Sequence, residues 1–125
     1  LSVPKNQATL LQDILHAYRL LPRLAKELRG SELAALLRPH PESALFAAWV
    51  MADDPLARAQ ILHYQRDLRT IRPITDGHRL RQLGVRPGPA YARILEALRD
   101  ARLDGRIKTP AEEESLLQQL IQNQR

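Results

Sequence analysis

The residues best equipped for chemistry lie between Gly84 and Thr109, in the stretch GVRPGPAYARILEALRDARLDGRIKT. Pro87 and Pro89 each fix their own φ and push the preceding residue out of the helical region. Gly88 between them can take a backbone conformation closed to other residues and lets another backbone come close. Pro89 suits the first helical position, where its missing N–H costs nothing. The amides of Ala90, Tyr91 and Ala92 would then point out of the helix start, at the positive end of the dipole. Arg86 stands just before them and Arg93 one turn in. Such a corner suits a phosphate. The alternative is a sharp helix start whose amides are satisfied by water.

A second set of cations comes earlier. Asp54 followed by Pro55 is a helix start, and the spacing predicts a helix from Pro55 to about Ile71. Ala57, Ile61, Tyr64, Leu68 and Ile71 fall on one side of it. Arg58, Arg66, Arg69 and Arg72 fall within an arc of about 120° on another. Only Asp67 is close enough to relieve their repulsion. A basic stripe of this kind fits a polyanion; the alternative is arginine stems lying on apolar surface with their heads in water. Arg79 and Arg81 point outward from a short helix, and Arg106 and Lys108 follow in a loop after Asp104 and Gly105. From Leu56 to Lys108 there are twelve Arg and Lys against five Asp and Glu, and the rest carries seven against nine. A basic half beside a slightly acidic half fits an anionic partner, or simply a well-solvated surface.

Other chemistry is not found. His16, His40, His63 and His78 have no partner at metal-ligand spacing. No two aspartates are separated by one residue, so the carboxylate pair that would hold two Mg²⁺ ions is missing. Adjacent Asp53 and Asp54 read as capping, and Glu112, Glu113 and Glu114 as charges favoured by a helix dipole. There is no Gly-rich phosphate loop with its lysine and no nucleophile motif. Neither a catalytic nor a metal-ligating residue is assigned, and the chain by itself is expected not to be an enzyme.

The elements that must position these residues are all helical. At 125 residues, 44% hydrophobic and 26% charged, the chain reads as one globular domain. Aromatics are only 4%, and Leu and Ala dominate, which favours helices over sheets. The fold expected is all-α, a compact bundle of about eight short helices with no sheet. Residues 1–8 read as an unstructured lead-in, with Thr9 capping the first helix. Leu10, Leu11, Ile14, Leu15 and Tyr18 repeat at helical spacing. Pro22 is expected to break or kink that helix, with a second running to about Leu28 and ending at Gly30. Ser31 can cap a third, with Leu33, Leu36 and Leu37 inward. From Pro41 a nearly all-apolar helix should be mostly covered, with Leu45, Phe46, Trp49 and Val50 on its buried side. Leu80 and Leu83, then Tyr91, Ile94, Leu95 and Leu98, form inward faces. Thr109, Pro110 and Glu112 make a capping box for a last helix carrying Leu116, Leu117, Leu120 and Ile121.

The run from Ser31 to about Leu120 resembles the C-terminal helical region of bacterial tRNA nucleotidyltransferases and their poly(A)-polymerase relatives, in the branch with A-adding and multidomain enzymes. Gly77, Leu80, Gly84, Pro87, Gly88 and Pro89 fit a Gly-x-x-Leu-x-x-x-Gly-x-x-Pro-Gly-Pro motif. Ser31, Glu32 and Leu33 fit an early helix start, and Leu68, Arg69, Arg72 and Pro73 an arginine-rich turn. Ile94, Leu95, Ala101, Leu103, Asp104, Gly105 and Thr109 fit the stretch after the motif, and Glu113 and Glu114 an acidic start to the last helix. Two positions depart: Arg79 stands where an aspartate is usual, and Ala92 where a glycine is.

The resemblance implies a body and tail, residues 1–72 and 73–125, that grip tRNA while a separate N-terminal head adds nucleotides to its 3′ end. That head, with its Mg²⁺ and ATP or CTP, has no trace in this chain, which begins at Leu1 and reads as a fragment of a larger protein. Partners would be tRNA or other structured RNA and the head itself, in the cytoplasm and away from membranes. A-form RNA is gripped through phosphates, 2′-hydroxyls and shape, which suits the arginines and the Pro-Gly-Pro corner. The RNA-binding residues would be Arg58, Arg66, Arg69, Arg72, Arg79, Arg81, Arg86, Gly88, Arg93, Arg106 and Lys108. One alternative is a helical interaction or dimerisation domain whose arginines only solubilise it. Another is a DNA-binding helix–hairpin–helix unit, loosely imitated by Leu83, Gly84, Gly88 and Ile94.

With no cysteine, disulfides and thiolate metal sites are ruled out, which is compatible with a reducing compartment. No apolar run approaches the roughly 18 to 20 residues of a membrane span, and no signal pattern opens the chain.

Overall fold

A computed structural model describes residues 3–124, with side chains from residue 8 onward; residues 1 and 2 of the expected lead-in lie outside the described residues. The described residues form seven α-helices and one π-helical turn, with no strand. The all-α class is as the composition implies. The contacts divide the chain into two compact units, Leu1–Arg69 and Thr70–Arg125. No helix among the described residues is long and apolar enough to cross a membrane.

The first unit holds α1 (Val3–Leu24), α2 (Gly30–Leu37), α3 (Glu42–Met51), α4 (Pro55–His63) and the π-turn Tyr64–Leu68. Two expectations fail in α1. It is already helical at Val3, so residues 3–8 are not an unstructured lead-in, and Pro4 sits in the first turn, where it costs no hydrogen bond. It also runs through Pro22 to Leu24, so the two expected helices are one. Pro22 lies two residues from the helix end and removes only one ladder bond. Gly30 does not terminate a helix; it opens α2, where Arg29 rather than Ser31 takes the N-cap position. There Glu32 Oε1 accepts from the Arg29 backbone N–H at 3.0 Å and from its Nε at 3.2 Å.

Helix α1 packs on α3 and α4, and α2 on the π-turn. The buried face of α1 is Asp13, Ala17, Leu20 and Leu24; Leu10, Leu11, Ile14, Leu15 and Tyr18 are exposed. On α3 the buried positions are Ala44, Leu45 and Ala48, while Phe46 and Val50 stay exposed, against expectation. Small alanines leave room for a neighbouring backbone to come close, so the larger side chains turn outward. The α4 face is as the spacing predicts: Ala57, Ile61, Tyr64 and Leu68 are buried. Asp54 caps α4 by accepting from Leu56 N–H at 2.8 Å.

Gln60, buried on α4, holds the loop after α1 from three sides. Its Nε2 donates to the carbonyls of Leu24 at 2.8 Å and Lys26 at 2.9 Å, and its Oε1 accepts from Leu28 N–H at 2.9 Å. These groups would otherwise be orphaned at a helix end.

The second unit holds α5 (Gly77–Gln82), α6 (Pro89–Leu103) and α7 (Pro110–Asn123). Its core is Leu80, Ile94, Leu98, Ala101, Ile107, Leu117 and Ile121, flanked by half-buried Leu83, Val85, Tyr91, Leu95, Leu116 and Leu120. The Thr109 box forms as expected: Thr109 Oγ1 accepts from Glu112 N–H at 3.1 Å, and Glu112 accepts from Thr109 N–H at 3.1 Å.

Candidate nucleic-acid interface

In the second unit the Pro-Gly-Pro corner is built by α5 and α6. Helix α5 closes with Val85 N–H donating to Leu80 O at 3.0 Å, at Gly84 with φ +85°. The chain then turns through Arg86, Pro87 and Gly88, all exposed. Gly88 has φ +148°, a conformation that L side chains rarely adopt, and open space where a Cβ would stand. Pro89 occupies the first turn of α6. Tyr91 fastens the corner from below: its hydroxyl donates to Val85 O at 3.0 Å, and its ring lies 3.6 Å from the Cβ position of Gly77. One expectation is corrected here. The Tyr91 amide is not free, because it donates to Gly88 O at 3.0 Å, which tightens the first turn.

Around this corner the acids of the unit are largely committed elsewhere. Asp76 caps α5 through Arg79 N–H at 2.9 Å. Glu114 Oε1 accepts from Arg79 Nη2 at 2.8 Å, so Arg79 is held by α7 rather than offered to a ligand. Glu112 accepts from the Lys108 and Thr109 backbone N–H groups. The Lys108 amide bond, with smaller help from Thr109 and the Lys108 charge, holds its carboxyl below the usual range. Only the backbone amide of Lys108 is engaged with the α7 cap; its side chain is exposed and has no carboxylate partner among the described residues. Arg72, Arg81, Arg86, Arg93 and Arg106 are exposed and, among the described residues, have no carboxylate partner.

Glu113 is the residue the sequence reading missed in this unit. It stands in the first turn of α7 as expected, but it is also buried, at 2% exposed. It accepts from Arg102 Nε at 2.5 Å, from the Thr75 amide and hydroxyl at 2.7 Å each, and from the Ile74 amide at 3.1 Å. Burial pushes its pKa up, but Arg102, Thr75 and Ile74 outweigh that and hold the carboxyl below its ordinary value. Nothing local marks this role, since its partners lie 11 to 39 residues away.

In the first unit the expected stripe is rearranged. The π-turn is closed by Arg69 N–H donating to Tyr64 O at 2.8 Å, which inserts one residue into the helical register. Positions past it rotate by about 100° relative to a continuous α-helix. Arg58 folds back: its Nε donates to Ala52 O at 3.0 Å, and its guanidinium carbon sits 4.6 Å from the Trp49 ring centroid. That contact covers a half-buried Trp49 with a cation from its own chain. Arg69 pairs with Glu42 and with Gln65. Arg72 lies beyond the helical turn and belongs to the second unit. Arg66 remains exposed and without a partner among the described residues.

The histidines divide. His63 meets Asp67 at 2.9 Å on the surface, and His78 meets Gln82 at 3.4 Å. His16 and His40, distant in sequence, meet with ring centroids 5.1 Å apart. Among the described residues no group of three or more His, Cys, Asp or Glu could hold a metal ion.

No protein-family model, curated protein or solved structure matches the chain.

Proposed function

We propose that this chain is an RNA-binding helical region that grips backbone phosphates, in the manner of the body and tail of a tRNA nucleotidyltransferase or poly(A) polymerase. On this reading a separate head, with Mg²⁺ and ATP or CTP, would add nucleotides to the RNA 3′ end. One observation carries the reading. Arg81, Arg86 and Arg93 stand exposed beside a glycine-opened helix start, while Asp76, Glu112, Glu113 and Glu114 are spent on caps and internal ion pairs. Guanidinium groups held this way keep their charge for an external anion and suit phosphate geometry. Phosphate contacts position RNA without reading its sequence, so base preference should be small. Of the residues expected to bind, Arg66, Arg72, Arg81, Arg86, Gly88, Arg93, Arg106 and Lys108 keep that role. Arg58, Arg69 and Arg79 act first in holding the fold.

The test is the double substitution Arg86→Ala and Arg93→Ala, assayed by gel shift against several tRNAs. The reading expects weaker binding by a similar factor for each. A loss confined to one tRNA would point to base readout instead.

A second reading, a helical interaction domain, is favoured by one feature: α1 leaves Leu11, Leu15 and Tyr18 exposed along one stripe. A sizing run beside the gel shift separates the two. Self-association with no RNA shift would favour the second.

A further inference from the structure

A cleft of about 940 Å³ opens beside the last turns of α1 and helix α2. Arg19, Arg23 and Lys26 line it, and all three are exposed. Among the described residues none of them has a carboxylate partner. The acid in the lining is Glu32, and its carboxylate is already bonded to Arg29. The α1 C-terminus offsets only about half a charge. Arg19 and Arg23 are i,i+4 neighbours, so the cluster repels itself unless an anion enters.

Two imidazoles share the cleft. His16 and His40 meet edge to face at 62°. His16 Nδ1 is buried without a partner. Burial, and after it the charge of His16, holds His40 below the ordinary imidazole range. A negative group in the cleft would counter the repulsion that His40 feels from His16. A lone phosphate would fill little of this volume, which matches the size of sites that enclose whole small ligands. The remaining lining includes Leu20, Leu28 and Leu36, an apolar surface against which a flat ring can lie.

We propose that this cleft binds a nucleotide, its phosphates on Arg19, Arg23 and Lys26 and its base against the leucines and the imidazole pair. A free nucleoside triphosphate and the terminal nucleotide of an RNA present the same chemistry. The site lies within the first unit and does not depend on the arginines at the Pro-Gly-Pro corner.

The experiment titrates the full chain with ATP and follows the imidazole proton resonances of all four histidines. His16 and His40 should shift along one saturable curve while His63 and His78 stay put, and adenosine should give no such curve. Arg19→Ala with Arg23→Ala should weaken ATP by at least about tenfold, because each lost charge-assisted bond is worth about that factor. Both side chains are exposed, and far-UV circular dichroism checks that the fold is kept; Lys26→Ala serves as an independent variant. A short 5′-phosphorylated oligoadenylate forms the second arm. If it binds tighter than ATP through the same histidines and arginines, the RNA end is the source; the reverse names the free nucleotide. The proposal is overturned if neither ligand moves His16 and His40, if all four histidines drift without saturation, or if the arginine and lysine variants bind as the unaltered chain does.

Discussion

Removing the Glu113 carboxylate should be the most damaging single change in the second unit. Four donors converge on it: the Arg102 guanidinium, the Thr75 amide and hydroxyl, and the Ile74 amide. The Arg102 side chain is only 16% exposed, and its Nη2 already lacks a partner. Glu113→Ala would therefore strand a buried cation and two backbone amides at once. Breaking a buried pair from one side costs about 3 to 5 kcal/mol. The readout is hydrogen exchange of the Leu98 and Leu117 amides, which lie in the core of the same unit. A loss of that size should speed their exchange by about two to three and a half orders of magnitude, up to the limit of full unfolding. Adding Arg102→Met should restore part of the loss, because the unpaired charge is gone. Recovery should stay incomplete, because the Thr75 and Ile74 amides remain orphaned. The pH dependence has a definite sign. The folded Glu113 pKa lies below its unfolded value, so its contribution is fully present above the ordinary carboxylate range. It is lost as pH falls through the folded value, and Glu113→Gln should flatten that acid limb. A Glu113→Ala protein whose core amides exchange less than about tenfold faster would refute this reasoning.

Two further predictions concern the backbone. Gly88→Ala should cost about 1 to 3 kcal/mol by urea unfolding, because φ +148° rather than crowding is the obstacle. An unchanged unfolding midpoint would show that the corner relaxes freely. Gln60→Leu should leave the Leu24 and Lys26 carbonyls and the Leu28 amide without their partner, at about 1 to 3 kcal/mol in total. Faster exchange at the Leu28 amide, ahead of global unfolding, is the expected sign, and an unchanged rate would count against it.

Local chemistry was legible in the sequence. The Asp54 cap, the Thr109 box and the inward Leu80, Ile94 and Leu98 all follow from spacing and capping rules, and they form as those rules require. What escaped depends on residues far apart in the chain. Gln60 reaches back 32 to 36 positions, and Glu113 reaches Thr75 across 38. Neither leaves a periodic trace. The π-turn at Tyr64–Leu68 also escaped, because its one-residue insertion keeps Leu68 on the buried face that an ordinary helix also predicts. Hydrophobicity misled where it was most abundant. With apolar residues all round α3, the pattern could not choose a face, and Ala44 and Ala48 went inward while Phe46 did not; α1 does carry a distinct apolar stripe, but Leu11, Leu15 and Tyr18 on it are exposed while Asp13 and Ala17 are buried. The arginines show the same limit: their types fit phosphate, but only the folded arrangement separates Arg86 and Arg93 from Arg58 and Arg79, which the protein uses for itself.

The central claim, that unpaired guanidinium groups are kept for RNA phosphates, is tested most directly by titrating the chain with tRNA across a range of salt. With about five phosphates engaged, log K should fall with log salt at a slope of about −4 to −5. Binding that does not change with salt, or no binding at low salt, would contradict it.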